Sequence, residues 1–451
     1  MRTGGTKLNT ETERTRMKNE IQQLLAEKYS IEDAVIRHVE VCGEQLSRRF
    51  SAQDEIREYN QYKVLSALQK NRIADMHFGW TTGYGYDDAG REATERVYAE
   101  IFGTEAALVR PTIVNGTHAL AITLMGLLRP GDELIYCSGG PYDTLEEVIG
   151  IRGRGKGSLA DYGVTYRQVE LKADGSIDLD SVAAAIGPST RMVCVQRSTG
   201  YSWRKALTIP QIAEWASFVH KEHPDIICMV DNCYGEFTDI REPSEVGADV
   251  IAGSLIKNPG GGLALSGGYV CGREDLIEKI SYRMTCPGIG AECGLTFGQT
   301  RAMLQGLFLA PSVVNSAVKG ALLCGQAYSA LGYGVCPEPE TVRSDIIQAV
   351  RLESGEAVVA FCEGIQAAAP VDSFVRPEPW AMPGYEDPVV MAAGAFVQGS
   401  SIELSADGPM REPFIVYFQG GLTYEHSKLG VMNSLNRLYR KGLLKGRGLC
   451  V

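Results

Sequence analysis

The pattern of hydrophobic and polar positions divides the chain into three stretches. Residues 11 to about 71 are rich in helix-forming side chains and contain no proline, which predicts one or two amphipathic helices. From about residue 89 to 272, apolar runs alternate with helical segments, which predicts an α/β domain with a mostly parallel sheet. The predicted strands are 107–109, 133–137, 192–195, 226–230, 250–252 and 269–270, and the predicted helices between them are 119–128 and 209–219.

The C-terminal part has a different pattern from about residue 331. Prolines interrupt it at Pro377, Pro379, Pro383 and Pro388, and residues 401–404 and 414–418 have the pattern of antiparallel strands. We therefore predict an N-terminal helical segment (1–75), a large domain (76–330) and a small α+β domain (331–451). Ligands of such large domains bind at the carboxyl ends of the strands.

Composition limits the classes of function. The chain has 451 residues, 44% of them hydrophobic, which suits two or three folded units. Its net charge of -11 argues against binding to nucleic acid or to anionic membranes. The 12 cysteines form no C-x-x-C pair, and the first 20 residues lack an apolar core, so we expect a soluble cytoplasmic protein without disulfides.

Two polar residues that follow predicted strands are candidates for cofactor chemistry. Asp231 ends the apolar run 226–230 and is placed to hold a protonated ring nitrogen. Lys257 follows 26 residues later, between another strand and the turn Gly260-Gly261-Gly262. An imine-forming lysine must be partly desolvated, and the glycines let the backbone pass close to a bound ring. Taken singly, Asp231 also fits a helix cap and Lys257 a surface lysine, but the combination is far more specific than either half.

Three further features predict a binding site for a phosphate and a ring. Asn115, Gly116 and Thr117 precede a predicted helix, where unpaired N–H groups bind anions, although simple capping explains them equally well. The hydroxyl of Ser254 can donate a hydrogen bond to a phosphate. Tyr142 follows the strand 133–137, where it can stack on a ring and move protons, or be an ordinary turn residue.

Two apparent motifs are rejected. Residues 150–157, GIRGRGKG, approach a P-loop but lack the Ser or Thr that binds magnesium, and no clear strand precedes them. They are interpreted as a basic flexible loop. His220 and His223 have helical spacing but no supporting carboxylate or cysteine cluster in the sequence, so no metal site is predicted.

The chain resembles the methionine gamma-lyase family, also known as aluminium-resistance proteins, which are relatives of cystathionine gamma-synthase and cystathionine lyases. The resemblance runs from about residue 71 to 428. Its motifs include TGYGYDDAGRE, PTIVNGTHA, PYDTLEEVIGIRG, QRSTGYSWR, VDNCYGEF, EPSEVGADVIAGSLIKNPGGG, MPGYEDPVVMAAG and SIELSADGPMREPF. It implies a type I pyridoxal-phosphate (aspartate-aminotransferase-like) fold and pyridoxal 5'-phosphate as cofactor.

The resemblance also implies roles for individual residues. Lys257 matches the Schiff-base lysine, Asp231 the partner of the pyridinium nitrogen, and Tyr142 the stacking tyrosine. The phosphate-binding turn corresponds to Asn115, Gly116 and Thr117, joined by Ser254. Tyr84 or Tyr86 falls where related lyases extend a tyrosine to the partner subunit's phosphate, so a homodimer or a dimer of dimers with shared sites is expected.

The substrate side departs from the family pattern. Asn115, Gly140, Ser312, Leu265 and Ser266 differ from the usual residues. The carboxylate-binding arginine of the lyases has no clear counterpart, and Tyr417 falls near its place. Arg411 is the first substitute that we consider and Arg197 the second.

The predicted activity is γ-elimination from a sulfur-containing amino acid, with Lys257 as base and Tyr142 as proton donor to the leaving sulfur. Three alternatives remain open. They are β-elimination as in cystathionine beta-lyase, γ-substitution or C–C bond formation with a sulfonium donor such as S-adenosylmethionine, and an inactive stress-tolerance scaffold.

Overall fold

The structure is a computed structural model that describes residues 5–153, 155–382, 386–444 and 448–449. Arg154 of the basic loop and Pro383 lie outside the described residues. The helices are α1 Gly5–Tyr29, α2 Asp33–Gln45, α3 Ser47–Lys70, α4 Ala89–Ile101, α5 Gly116–Leu127, α6 Glu146–Ile149, α7 Leu179–Ala185, α8 Ile209–Glu222, α9 Glu274–Met284, α10 Thr300–Ala330, α11 Gly355–Ala368 and α12 Tyr424–Arg440. The strands are β1 Ala106–Arg110, β2 Glu133–Tyr136, β3 Thr165–Gln168, β4 Thr190–Gln196, β5 Ile227–Asp231, β6 Val250–Ser254, β7 Gly268–Gly272, β8 Gly334–Cys336, β9 Ile347–Arg351, β10 Val389–Ala392, β11 Ser405–Pro409 and β12 Ile415–Gln419.

The larger sheet has seven strands in the order β1-β7-β6-β5-β4-β2-β3. Strands β6, β5, β4, β2 and β3 are parallel, and β7 runs antiparallel to β6 and β1. The prediction of a mostly parallel sheet is therefore confirmed. Strands β5 and β6 lie at its centre and are buried along their whole length, which is why their sequences are continuously apolar.

The smaller sheet has five antiparallel strands in the order β10-β11-β12-β9-β8. Helices α11 and α12 pack together, and α11 covers β10 and β11. The predicted strand 414–418 matches β12, but the predicted strand 401–404 is wrong. Residues 401–404 form a turn in which Glu403 accepts the backbone N–H groups of Phe396 and Val397 at 2.8 and 2.9 Å, and β11 begins at Ser405.

Three helices, not one or two, form the N-terminal segment. The chain breaks between α1 and α2 at Ser30, whose φ is 54°, and between α2 and α3 at Leu46. Helix α2 packs on α10 and α12, and α3 packs on α10 and α4. These breaks contain no glycine or proline, so tertiary packing, not local propensity, determines them.

Helix α10 connects the two sheets through one apolar core. By length and composition it could cross a membrane, but 72% of its most apolar window is buried inside the protein. Its Leu322 belongs to the same buried cluster as Val230 of β5, Phe361 of α11 and Phe418 of β12. This core fixes the position of the small sheet against the carboxyl ends of the large sheet's central strands.

Candidate active site

A cleft of about 270 Å³ lies between the carboxyl ends of the central strands and the small sheet. The side contributed by the large sheet includes Asn115, Gly116, Thr117, Tyr142, Asp231, Ser254 and Lys257. The side contributed by the C-terminal part includes Met391, Ser400, Ser401, Ser405, Asp407 and Gln419. Most of the residues predicted from the sequence are therefore brought together in one cavity.

Asp231 is fixed on the cleft floor because it is the last residue of β5. It pairs with Gln196 of β4 and Ala252 of β6, and its exposure is 6%. Its carboxylate accepts the backbone N–H of Cys233 at 3.1 Å. Burial raises the pKa of Asp231, while the Lys257 ammonium and the Cys233 N–H act to lower it. Such a carboxylate can accept a hydrogen bond from a protonated ring nitrogen.

Lys257 lies in the turn that follows β6. Its Nζ is 4.0 Å from the centroid of the Tyr234 ring, and the side-chain amide of Asn258 fastens the turn by donating to the backbone oxygens of Tyr234 and Glu236 at 3.0 and 2.9 Å. Burial acts to lower the pKa of Lys257. The thiol of Cys233, the Tyr234 phenol and the carboxyl groups of Asp231 and Glu236 act in the other direction, and the net pKa is raised.

The glycines after Lys257 allow its turn to pack against α10. A Cβ on Gly260 would collide with the backbone oxygen of Leu255, and one on Gly306 of α10 would collide with the backbone oxygen of Gly260. Gly261 also has a positive φ of 53°. Glycine at these positions is therefore a steric requirement for the position of Lys257.

The N-terminus of α5 forms the other end of the cleft. Asn115 caps the helix by accepting the His118 N–H at 2.8 Å, which leaves the N–H groups of Gly116 and Thr117 without a partner within the helix. A Cβ on Gly116 would lie 3.2 Å from the Cβ of Ser254, so backbone and hydroxyl approach closely. The hydroxyl of Thr117 lies 2.7 Å from that of Thr144. This arrangement suits an anion such as a phosphate.

Tyr142 begins a row of aromatic rings along one wall. Its ring centroid lies 5.9 Å from that of Tyr201, which lies 5.1 Å from that of Tyr417. The Tyr417 hydroxyl donates to the backbone oxygen of Tyr201 at 2.6 Å. The row connects the ring-binding region to the small sheet.

Sequence reasoning missed several cleft residues, chiefly Tyr234, Asp407 and Gln419. Asp407 is 6% exposed and accepts a hydrogen bond from the Gln419 side chain at 3.1 Å. Burial raises its pKa to about 6, although hydrogen bonds from Tyr201 and Gln419 and the charge of Lys257 lower it. Tyr234 lies three residues after Asp231 in the same motif, and this proximity could have indicated that it lies in the cleft. The position of Asp407 depends on the register of the small sheet, which the sequence pattern does not reveal.

Tyr84 and Tyr86 do not line the cleft of this single chain. Their exposures are 74% and 56%, and their ring centroids lie 5.5 Å apart. Trp80 and Phe297 are also more than half exposed. The role of Tyr84 or Tyr86 in a partner subunit's site stays a prediction.

The structure does not support Arg197 as a substrate-binding residue. Its guanidinium is fully buried outside the cleft and donates to Asn232 at 2.8 Å, Thr238 at 3.1 Å and Ser344 at 3.1 Å, with Glu242 at 3.3 Å. These hydrogen bonds engage all three guanidinium nitrogens of Arg197.

Arg411 lies at the surface near the cleft. It pairs with Asp387 at 3.1 Å and borders a small pocket with Asp143 and Tyr201, on the outer side of the aromatic row. Because Tyr201 also lines the main cleft, Arg411 stays a prediction for substrate binding at the rim.

The two rejected motifs have structural explanations in the described residues. Backbone N–H groups of Gly155, Gly157 and Ser158 donate to the Asp161 carboxylate, so this turn is already satisfied. His220 does meet a carboxylate and a thiol, those of Asp249 and Cys228, which the sequence did not indicate. The Asp249 oxygens already accept from His220, the Cys228 N–H and Arg273, so we assign no metal site.

Comparison with known proteins shows close relatives along nearly the whole chain. Uncharacterized protein YnbB of Bacillus subtilis is 51% identical over 392 residues, which cover 87% of this chain and 93% of YnbB. The crystal structure of a carbon-sulfur lyase involved in aluminium resistance from Clostridium novyi is 50% identical, covers 92% of this chain and 98% of that one, and has a TM-score of 0.89.

A more distant structure identifies the fold. The pyridoxal-5'-phosphate-dependent protein YhfS of Escherichia coli is 19% identical, covers 85% of this chain and 96% of that one, and has a TM-score of 0.57. The predicted type I pyridoxal-phosphate fold is thus confirmed.

Family and fold together indicate pyridoxal phosphate as the cofactor, and the residues of the cleft fit it. Lys257 supplies an amine and Asp231 a carboxylate on the floor, while the N-terminus of α5 supplies the anion-binding end. A Cβ on Gly116 would lie 3.2 Å from the Cβ of Ser254 and 3.3 Å from the Sγ of Cys233, so a glycine there lets the anion-binding turn pack closely against the end of β6. Lys257, Asp231 and the turn 115–117 are the residues that would hold it.

The model of the family described as methionine gamma-lyase matches residues 35–439, which run from the first turn of α2 to the last turn of α12 and include both sheets. Family and fold support an enzyme of the lyase type. The chain belongs to the methionine gamma-lyase family.

Proposed function

We propose that this protein is a pyridoxal-phosphate-dependent carbon–sulfur lyase that acts on a sulfur-containing amino acid by γ-elimination. The observation that carries the proposal is that Lys257, Asp231 and the N-terminus of α5 open onto one cleft. The carbon-sulfur lyase of Clostridium novyi, at 50% identity over 92% of this chain, supports the carbon–sulfur lyase part of this proposal.

Pyridoxal phosphate supplies an electron sink for the negative charge that develops at the substrate's Cα. The amine of Lys257 would hold the cofactor and, once the substrate amine had displaced it, would accept the proton from Cα. Asp231 keeps the ring nitrogen protonated, because a carboxylate that accepts its hydrogen bond stabilises the positive charge. The N-terminus of α5, with Thr117 and Ser254, holds the phosphate.

γ-Elimination requires that a second proton leave Cβ before the bond from Cγ to sulfur breaks. Among the described residues that line the cleft, Lys257 is the one amine that can move this proton. Tyr142 stacks on the cofactor ring and protonates the leaving sulfur. One water is consumed, and the products are a thiol, ammonia and a 2-oxo acid.

The exposed aromatic residues Trp80, Tyr84, Tyr86 and Phe297 support a homo-oligomer, because soluble monomers seldom expose several large apolar side chains together. In the proposed assembly, Tyr84 or Tyr86 reaches the phosphate in the partner's cleft. We expect the enzyme to be cytoplasmic.

The proposal is tested by mixing the holoenzyme with methionine, homocysteine, cystathionine or cysteine and identifying the 2-oxo acid. Release of 2-oxobutanoate is the expected result. Pyruvate from cystathionine or cysteine would replace the proposal with β-elimination. No oxo acid from any of them, with cofactor bound, would favour γ-substitution, and a colourless protein that binds no cofactor would favour the inactive scaffold.

A variant tests the assignment of Lys257. Lys257→Ala should lose the visible absorbance that borohydride bleaches and should release no oxo acid. Lys205→Ala is the control, because Lys205 is an exposed lysine paired with Glu338 and should leave both signals unchanged. Turnover by Lys257→Ala at the wild-type rate would show that another amine holds the cofactor.

A further inference from the structure

The wall of the cleft that faces the large sheet carries a buried carboxylate. Its polar residues are Ser400, Ser401, Ser405, Asp407 and Gln419, and the described residues place no arginine, histidine or second lysine in the cleft. A substrate carboxylate directed at this wall would meet negative charge, whereas a cation would meet an acceptor. The wall therefore has the charge of a cation-binding surface.

Asp407 is positioned before any ligand arrives. It lies opposite Tyr417 in the pairing of β11 with β12, is 6% exposed, and accepts a hydrogen bond from the Gln419 side chain at 3.1 Å. An ionised carboxylate has about four lone-pair sites, so this donor leaves acceptor capacity for a ligand. Holding the carboxylate in place lowers the entropic cost of binding a cation there.

Two hydroxyl groups of the same wall have no hydrogen-bond partner in the part of the chain that the structure describes. Ser400 and Ser405 are 3% and 4% exposed, they line the cleft, and their Oγ atoms have no hydrogen-bond partner among the described residues. A buried polar atom without a partner is unfavourable, so these hydroxyls indicate a polar ligand group in the cleft. An ammonium group has three donors, and one carboxylate with two hydroxyl oxygens supplies three acceptors.

We infer that Asp407 is a specificity-determining residue that selects substrates whose side chain carries a second cation with N–H donors, such as a primary ammonium. That the substrate is a thioether amino acid rests on the proposed function. The second cation binds the wall formed by Asp407, Ser400 and Ser405, while the reacting amine lies near Lys257.

The experiment compares two thioethers of the same size, S-(2-aminoethyl)homocysteine and S-propylhomocysteine, which differ by an ammonium in place of a methyl group. Dissociation constants are measured with the holoenzyme from the change in visible absorbance of the cofactor. We expect the amine to bind about tenfold more tightly or better, as a charge-assisted hydrogen bond in a buried site provides. Asp407→Asn should reduce this ratio to about twofold or less.

Glu403→Gln is the matched control. Glu403 is also buried in the same segment, but it accepts the N–H groups of Phe396 and Val397 and does not line the cleft. This variant should keep the wild-type ratio. If wild type shows no preference, or Asp407→Asn keeps it, the inference is wrong.

A second variant and a second pair of ligands complete the test. If Asp407→Asn does not fold, Ser405→Ala should still weaken binding of the amine by about threefold relative to the propyl compound, and an unchanged ratio would overturn the inference. S-methylmethionine against methionine tests a cation without N–H donors. A preference for this sulfonium as large as that for the amine would overturn the requirement for N–H donors.

Failure of the inference and failure of the proposed function are distinguishable, because binding is read from the initial absorbance change and turnover is read separately from the 2-oxo acid that accumulates later. A preference for the amine with no 2-oxo acid from either thioether would leave Asp407 as the selecting residue and reject the lyase proposal. Release of 2-oxo acid with equal affinity for both thioethers would support the lyase proposal and reject the role of Asp407 in selection.

Discussion

The amine of Lys257 lies 4.0 Å from the centre of the Tyr234 ring, and the Tyr234 hydroxyl accepts a hydrogen bond from Ser401 at 3.0 Å. Tyr234 follows β5 of the large sheet, whereas Ser401 precedes β11 of the small sheet. One side chain therefore contacts the proposed cofactor lysine and also joins the two halves of the cleft.

Tyr234 should affect the rate through its ring face more than through its hydroxyl. Tyr234→Leu removes the ring, and a desolvated cation–π contact contributes about 1–2 kcal/mol, so we expect kcat to fall about 5- to 30-fold. Tyr234→Phe keeps the ring and loses the bond to Ser401, so its kcat should fall less than about fivefold. The measurement is kcat for oxo acid release by both variants. Equal losses would show that the hydroxyl, not the ring, is the important group.

Gly306 should be intolerant of substitution although it lies in a helix. Alanine is usually favoured over glycine in a helix by about 1 kcal/mol, but here its Cβ would collide with the backbone oxygen of Gly260, in the turn that positions Lys257. Forcing a methyl group into such packing costs about 1–3 kcal/mol, so we expect a net loss of stability and weaker cofactor binding for Gly306→Ala.

Gly187→Ala is the control for Gly306→Ala, because the nearest atom to its added Cβ is an Arg167 side-chain nitrogen at 3.9 Å. It should change the free energy of unfolding by less than about 0.5 kcal/mol. Urea unfolding and cofactor titration measure both variants. If Gly306→Ala is as stable as Gly187→Ala and binds the cofactor equally well, the turn does not depend on the contact with α10.

Arg197 should act on stability and not on substrate affinity. Removing one partner of a buried ion pair leaves the other charge uncompensated, which costs about 3–5 kcal/mol. Arg197→Met should therefore lower the free energy of unfolding by this amount, with KM unchanged for the protein that remains folded. Adding Glu242→Gln should recover part of the loss, since Glu242 is the buried carboxylate 3.3 Å from Arg197. A raised KM without loss of stability would restore Arg197 as a substrate-binding residue.

The large sheet could be predicted because its central strands are buried on both faces and thus continuously apolar. Asp231 and Lys257 could be found for the same reason, since each follows such a strand. The edge strand β3 is mostly exposed, with the sequence Thr165-Tyr166-Arg167-Gln168, and shows no apolar run. It could not be distinguished from a loop.

The wall of the cleft that contains Asp407 and Gln419 was not predicted, because these two residues come together through strand pairing. Asp407 and Gln419 lie 12 positions apart and meet because β11 and β12 are neighbours, with Asp407 opposite Tyr417. A shift of the register by one residue would turn Asp407 to the other face of the sheet. No local pattern in the sequence determines that register. The strand was predicted at 401–404, whereas β11 begins at Ser405, which shows how little the local sequence constrains the pairing.

Tyr84 and Tyr86 should act in the partner's site if the assembly shares its sites. Chains carrying Lys257→Ala are mixed with chains carrying Tyr84→Phe and Tyr86→Phe together, each inactive or nearly so alone. In a mixed dimer, one cleft then has a wild-type Lys257 from its own chain and wild-type tyrosines from the other chain. Half of the dimers are mixed and each has one intact site, so activity should reappear at about a quarter of the wild-type value. No recovery in mixtures that demonstrably exchange subunits would assign the tyrosines to their own chain's site or to no site.

Asp407 should lower the stability of the protein at neutral pH. The groups that face it are Gln419 of β12, Tyr201 and Tyr234 of the wall, Lys257, and the buried thiol of Cys362 of α11. Burial raises the pKa of Asp407 from 3.8 to about 6, so the folded protein holds this proton more tightly than the unfolded chain does. By linkage, the contribution of Asp407 to stability is greatest below pH 4, falls as the pH rises towards 6, and stays low above that.

Asp407→Asn should therefore be more stable than wild type at pH 8, by about 1–3 kcal/mol, because each pKa unit corresponds to about 1.4 kcal/mol and the amide forgoes part of the hydrogen bonding. The advantage should shrink as the pH falls from 6 to 4. Urea unfolding of both proteins at several pH values, with saturating cofactor, measures it. Glu403→Gln should differ less from wild type, since two backbone N–H groups stabilise the ionised Glu403. An Asp407→Asn protein that is less stable than wild type at pH 8 would mean that the ionised carboxylate stabilises the fold, and the burial of this charge would then need no substrate cation to explain it.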